Sequence, residues 1–330
     1  MKKNIAIVAG GDSSEHIISI GSAKQINEVL DKEKYNIYTV IIKETKWTVN
    51  GDSFKDVIVD RNDFSFSLNN QNIKFDCALI IIHGTPGEDG KLQGYFDTIK
   101  IPYTTSNTLA SALTFNKIFS KNYLKSFDIP LAKFVSLKKG ATIDADQIIS
   151  ITGLPCFVKP NCGGSSFGIS KVKEKEKLRE AIDIAFKEDN EILIEEFLDG
   201  SELTCGLVKT NKGDIIFPPT EIVSKNEFFD YEAKYTEGIA EEITPARISN
   251  ELTKDIQNLS SQIYDIFQLN GIIRVDYIFT KNKLYFMEVN TVPGMTAASL
   301  VPQQIEAANL NVKDILTLVI EDSIERHISS

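Results

Sequence analysis

The sequence predicts an α/β chain that opens with a parallel-sheet domain and continues into two α+β domains. Three observations carry this. Apolar runs closed by glycine alternate with helical periodicity over residues 4–82, the pattern of buried parallel strands. Beyond residue 103 the apolar runs are flanked by charged helical segments and finish in a hairpin. At about 100–200 residues per domain, 330 residues suggest two or three domains.

Asn4 to Ala9 is the first apolar run, and Gly10-Gly11 stops it. Asp12-Ser13-Ser14-Glu15 then offers N-cap chemistry for a helix reaching about Leu30. Tyr38 to Ile42 and Cys77 to Ile82 supply two more strands, and this domain is expected over 1–103. Asn107 to Phe127 is helical by periodicity and stops ahead of Pro130. A strand at 156–159, a glycine- and serine-rich stretch at 161–168, a charged helix at 171–187 and a strand at 192–197 follow. They make a small central domain, 104–197. The last domain, 198–330, opens on a strand at 202–209. Its polar and aromatic stretch at 224–242 has the length of a functional loop. A helix at 249–269, a hairpin at 272–280 and 283–289, and two helices complete it.

The chain is 42% hydrophobic and 25% charged, an ordinary globular composition. A formal net charge of −10 argues against a nonspecific grip on nucleic acid. Cys77, Cys156, Cys162 and Cys205 show no Cys-x-x-Cys or zinc spacing and read as reduced thiols. The apolar run after Met1-Lys2-Lys3 is too short for a signal peptide, and nothing approaches the ~20 apolar residues of a membrane span. A cytoplasmic protein without membrane or nucleic-acid partners is therefore expected.

The hairpin carries the clearest chemistry. With a three-residue loop, Asp276 lies directly opposite Glu288, Cβ atoms about 5 Å apart; with a two-residue loop the pair becomes diagonal. Asn290 shares a face with Glu288, and Arg274 with Asp276. Opposed carboxylates conflict unless a cation joins them, and a few hard oxygen donors on a rigid hairpin suit magnesium. Gly163-Gly164-Ser165-Ser166-Phe167-Gly168 lies between two strands, where glycines admit a ligand close to the backbone and successive N–H groups cradle phosphate. It is not a P-loop, and Gly10-Gly11-Asp12 is not a dinucleotide fingerprint. Lys159, in Phe-Val-Lys-Pro, is costly to bury unless it meets an anion. Lys117 is a second, weaker cation candidate, since helical lysines are usually solvated, and the stretch from Glu195 to Glu202 reads either as apolar walls and carboxylates for a nucleoside or as a plain edge strand. Together these point to ATP in a carboxylate-activating reaction.

The ordered set of motifs resembles the ATP-grasp superfamily and, within it, the D-alanine–D-alanine ligase family. It runs Gly-Gly-Asp-Ser-Ser-Glu-His (10–16), His83-Gly84, Gly87-Glu88-Asp89-Gly90, Val158-Lys159-Pro160, Gly164-Ser165-Ser166, Tyr231-Glu232-Ala233-Lys234-Tyr235, Arg274-Val275-Asp276, Glu288-x-Asn290-Thr291-x-Pro293-Gly294-Met295-Thr296 and Ser299-Leu300-Val301-Pro302. The resemblance implies an ATP-grasp fold with a Rossmann-like first domain. It implies ligation of two D-alanines through a D-alanyl phosphate, for peptidoglycan precursor synthesis. Lys117, Lys159, Ser166 and Lys234 would serve ATP phosphates, and Glu195, Leu198 and Glu202 adenosine. Asp276, Glu288 and Asn290 would hold two Mg²⁺ or Mn²⁺. Glu15, near His83, would orient the first D-alanine, Arg274 and Gly294 the oxyanion, and Ser299 and Leu300 the second substrate. Tyr235 would reach towards Ser165 and Glu15 from a closing loop. Family members that make D-alanyl-D-lactate usually lack a tyrosine at that place, so Tyr235 points to D-alanine. A homodimer is implied as well.

Three rivals stand beside this reading. One is a related ligase with another second substrate, for example D-lactate. Another is a non-catalytic two-lobed binding protein, against which the acidic hairpin speaks. The third is thiol catalysis by Cys162 or Cys156 with His83, for which nothing nearby lowers a thiol pKa.

Overall fold

The computed structural model describes residues 2–164, 167–224 and 240–329. Three sheets organise it, of seven, four and six strands. In the first, β1 (Lys3–Gly10) pairs in parallel with β2 (Tyr35–Lys43) and β7 (Cys77–Ile80), the expected parallel core. Sequence reading had no counterpart for β3 (Lys46–Gly51), β4 (Phe54–Asp60), β5 (Ser65–Leu68) and β6 (Gln71–Lys74), which extend this sheet in antiparallel order. They are short, half exposed and joined by tight turns, and only one face meets Phe64, Phe66 and Phe75 in the core.

Gly10 and Gly11 end β1 with φ of 100° and 92°, in the region that favours glycine. A side chain at either position would collide with the Ile42 carbonyl or with Ile82. Helix α1 spans His16–Val29, but no side chain caps it. The expected cap residues are engaged elsewhere: Asp12 accepts from Glu44 N at 2.7 Å, and Ser13 donates to the His83 carbonyl at 2.7 Å. Helix α2 (Lys91–Ile99) lies further along.

The expected 107–127 helix breaks in two at Asn116. Asn107 caps α3 (Thr108–Phe115), and Asn116 caps α4 (Lys117–Leu124) by accepting from Phe119 N at 2.9 Å. The second sheet is antiparallel, ordered β10 (Ser170–Val172), β9 (Cys156–Pro160), β11 (Glu191–Glu196), β8 (Phe134–Lys138). Helices α5 (Ala145–Thr152) and α6 (Leu178–Glu188) cover one face of it over Val158, Ile192 and Ile194. The charged helix expected over 171–187 therefore starts only at Leu178, because residues 170–172 pair with β9.

The third sheet runs β15 (Ala240–Ile243), β14 (Thr220–Ser224), β12 (Ser201–Thr210), β16 (Ile272–Thr280), β17 (Lys283–Asn290), with β13 (Gly213–Ile216) beside β12. The ends of the expected 224–242 loop are thus strands, and 225–239 lies outside the described residues. Alternation puts Ile273, Val275 and Tyr277 into a core with α7 (Asn250–Ile266), α3 and α4. Arg274 and Asp276 therefore face the other way, the side on which Gln304 of α8 (Leu300–Ala307) meets Gly206 and Thr204. Helix α9 (Val312–Ser329) joins α8 and the first sheet in one apolar cluster. Among the described residues, no helix is long and apolar enough to cross a membrane.

Candidate active site

The turn between β16 and β17 holds two residues, Lys281 and Asn282, with left-handed φ of 50° and 58°. Such a turn would leave Asp276 and Glu288 on a diagonal. The ladder shifts register after the Tyr277–Phe286 pair, however, and Met287 becomes an extra residue. Asp276 thereby stands opposite Glu288, and Arg274 opposite Asn290. The expected opposition is present, produced by a bulge rather than by a longer loop.

The Asp276 carboxylate is fully engaged. Arg274 grips it as a fork, with Nε and Nη2 each at 2.8 Å. Asn290 Nδ2 donates to it at 2.9 Å and the Thr204 hydroxyl at 2.5 Å. Burial opposes the charge on Arg274, and the Asp276 carboxylate more than reverses that, so the guanidinium stays protonated. Lys117, the first residue of α4, reaches back to Glu288 Oε2 at 3.2 Å and donates to the Gly163 carbonyl at 2.9 Å. Helical lysines are usually solvated, but this side chain is only 12% exposed. The donor set fits a hard divalent cation. Two carboxylates lie opposite each other and Asn290 gives its nitrogen to Asp276 and keeps its oxygen, although Arg274 and Lys117 pair with the same acids.

A cavity of about 260 Å³ opens on this hairpin. Its walls bring together Glu15, His83, Lys117, Arg274, Glu288, Asn290, Gly294, Ser299 and Leu300 from all parts of the chain. His83 is buried and donates from Nδ1 to the Val292 carbonyl at 2.8 Å, leaving Nε2 without a protein partner among the described residues. Burial holds its pKa below the usual histidine value. Gly164 lies so close to Glu15 that an added Cβ would stand 2.6 Å from Oε2. Ser299 bonds the Thr296 hydroxyl at 2.7 Å, beside Gly294. A neighbouring cavity of about 570 Å³ shares Glu15, Lys117, Gly163, Gly164 and Glu288 with the first.

Lys159 and Glu195 lie on the face of the second sheet turned away from α5 and α6, and they form an ion pair. Leu198 follows β11, and Glu202 lies in β12 opposite Ile278. None of these four lines the 260 Å³ cavity. Ser165, Ser166, Lys234 and Tyr235 lie outside the described residues.

Sequence reading gave no role to four groups. Thr204 supports Asp276 from the adjacent strand. Lys121, one turn after Lys117, pairs with Glu195 at 2.5 Å; the i, i+4 lysine spacing was its only signal. Glu88 accepts from Gly84 N at 2.7 Å and Val292 N at 3.2 Å, tying two site loops together. Burial, helped by Glu15, pushes its carboxyl up to about 8. Glu242, at the cavity wall, accepts from Gln303 at 3.0 Å. The thiol route fails, because Cys156 is buried and burial pushes Cys162 up to about 11.

The family model described as D-ala D-ala ligase N-terminus matches residues 4–106, and D-ala D-ala ligase C-terminus matches residues 123–321. A D-alanine–D-alanine ligase of Bacteroides fragilis is 52% identical over 323 residues, covering 98% of this chain and 99% of the relative. The crystal structure of the VanG D-Ala:D-Ser ligase from Enterococcus faecalis superposes with a TM-score of 0.87 at 33% identity, over 98% of this chain and 100% of that one. That of a Bacillus anthracis D-alanine–D-alanine ligase complexed with ATP gives 0.80 at 28%, over 99% of each chain. The fold is thus the ATP-grasp fold, and the chain belongs to the D-alanine–D-alanine ligase family.

Proposed function

We propose that this chain joins two D-alanine molecules into D-alanyl-D-alanine, a peptidoglycan building block, with cleavage of ATP to ADP and phosphate. The observation that carries it is the single cavity facing Glu15, Arg274 and Ser299 beside the Lys117–Glu288 pair. A carboxylate is a poor acyl donor, so the first D-alanine carboxylate attacks the γ-phosphoryl group and becomes an acyl phosphate. Lys117 and Lys159 take up charge on the phosphates, a role that the family resemblance also gives Ser166 and Lys234. Asp276, Glu288 and Asn290 would hold Mg²⁺ or Mn²⁺, which would neutralise charge on the phosphate oxygens.

Glu15 orients the first ammonium with His83 at its side. Ser299 and Leu300 receive the second D-alanine, whose amine attacks the acyl carbon. The tetrahedral oxyanion meets Arg274 and the Gly294 backbone N–H, and phosphate leaves. Glu195, Leu198 and Glu202 serve adenosine. The family resemblance gives Ser165, Ser166 and Tyr235 a part in excluding water from the acyl phosphate. The division 1–103, 104–197 and 198–330 belongs to this reading, supported by the three sheets. So do a cytoplasmic location and a homodimer, the latter from family resemblance alone.

The test is a substrate panel: purified chain, ATP, Mg²⁺ and D-alanine, alone or with D-lactate or D-serine. D-alanyl-D-alanine from D-alanine alone is expected. ADP release only when another second substrate is added would replace the assignment.

A further inference from the structure

Lys121 is the most buried charged residue among the described residues, with nothing of its side chain exposed. It reaches Glu195 Oε1 at 2.5 Å, while Lys159 pairs with Oε2 of the same carboxylate. Its remaining neighbours are the Phe286 carbonyl at 3.4 Å and the Phe286 ring at 5.8 Å. The side chains of Glu195 and Lys159 are 2% and 9% exposed. One carboxylate thus faces two lysines; burial lowers the Lys121 pKa, the Glu195 carboxylate opposes that, and with all three groups ionised the trio carries one net positive charge. Excess charge away from water draws a counter-ion. Of the two lysines only Lys159 has any opening, so an anion is met there and not at Lys121.

We propose that Lys121 is a positioning residue: by sharing Glu195 with Lys159, it leaves the Lys159 ammonium available to the polyphosphate of the nucleotide. Without Lys121, Glu195 and Lys159 would form a neutral one-to-one pair, and an incoming phosphate would have to break it. Lys121 therefore acts through Lys159 and touches no reacting atom. The proposal rests on reading Lys159 as a phosphate ligand.

The test measures binding of inorganic tripolyphosphate with Mg²⁺ to the full chain by calorimetry. This probe lacks adenosine, so any contact of Glu195 with the nucleoside does not enter. Lys121→Met keeps the side-chain length, removes the charge and is expected to weaken binding at least ~tenfold. Lys121→Met combined with Glu195→Gln restores the net charge of the trio and frees Lys159. Binding within about threefold of the wild type is expected. A merely structural lysine would give a double variant no better than the single one, and that result overturns the proposal, as does wild-type binding by Lys121→Met. Should Lys121→Met not fold, Lys121→Gln, which keeps a donor toward Glu195 without the charge, decides by the same two outcomes. Lys159→Met separates the two claims. If it binds like the wild type, the phosphate reading fails and this proposal with it. If it is weak while Lys121→Met is not, only the sharing fails.

Discussion

Glu288 stands directly opposite Asp276 although only two residues turn the hairpin between them, because Met287 is an extra residue in the ladder. Two like charges so placed conflict unless cations join them. Arg274 and Lys117 do so within the protein, the latter at 3.2 Å from Glu288. Glu288→Gln keeps the shape and removes the charge. Magnesium-dependent ADP release is expected to fall at least ~100-fold, with an unchanged circular dichroism spectrum. Near-normal turnover would remove Glu288 from the metal site.

Thr204 predicts a graded effect. Its hydroxyl donates to Asp276 at 2.5 Å and makes no other strong side-chain contact to the site. Thr204→Val keeps the volume and deletes the donor. Stability should drop by about 1–2 kcal/mol in urea unfolding. Half-saturation by Mg²⁺ should rise about tenfold in an activity titration.

Gln304 ties α8 to the third sheet. It accepts from Gly206 N at 2.8 Å and donates to the Thr204 carbonyl at 3.1 Å and the Thr220 hydroxyl at 3.0 Å. Gln304→Leu leaves these buried groups unpaired, at a cost of about 2–4 kcal/mol in denaturant unfolding. Helix α8 follows Ser299, so KM for D-alanine should rise more than KM for ATP.

Glu88 gives a pH signature. Burial raises its folded pKa from 4.5 to about 8. A raised carboxyl favours the folded state while protonated. Its contribution is complete below the unfolded value and is lost as pH rises through the folded one. The wild type should therefore lose stability relative to Glu88→Gln between about pH 4.5 and 8, in parallel denaturation series. A constant difference across that window would contradict the raised pKa.

Much of this was legible in the sequence because it follows from period and register. Strand alternation placed Arg274 with Asp276 and Glu288 with Asn290, and apolar runs, two of them closed by glycine, gave β1, β2 and β7. What escaped depends on partners distant in the chain. Lys121, on helix α4, is informative only because Glu195, from the second sheet, arrives beside it, and Thr204 only because β12 pairs with β16. The strands from Lys46 to Lys74 escaped because their exposed faces dilute the apolar pattern. The Met287 bulge has no sequence signal that we recognise; it shows itself as a register shift.

The central claim is that the cavity activates a carboxylate as an acyl phosphate. Labelled D-alanine tests it directly. With ¹⁸O in the carboxylate, attack on the γ-phosphoryl group makes a carboxylate oxygen the bridge, and amine attack releases that oxygen with the phosphate. Mass spectrometry of the released inorganic phosphate should show one ¹⁸O for each dipeptide formed. Dipeptide accompanied by unlabelled phosphate would contradict the account.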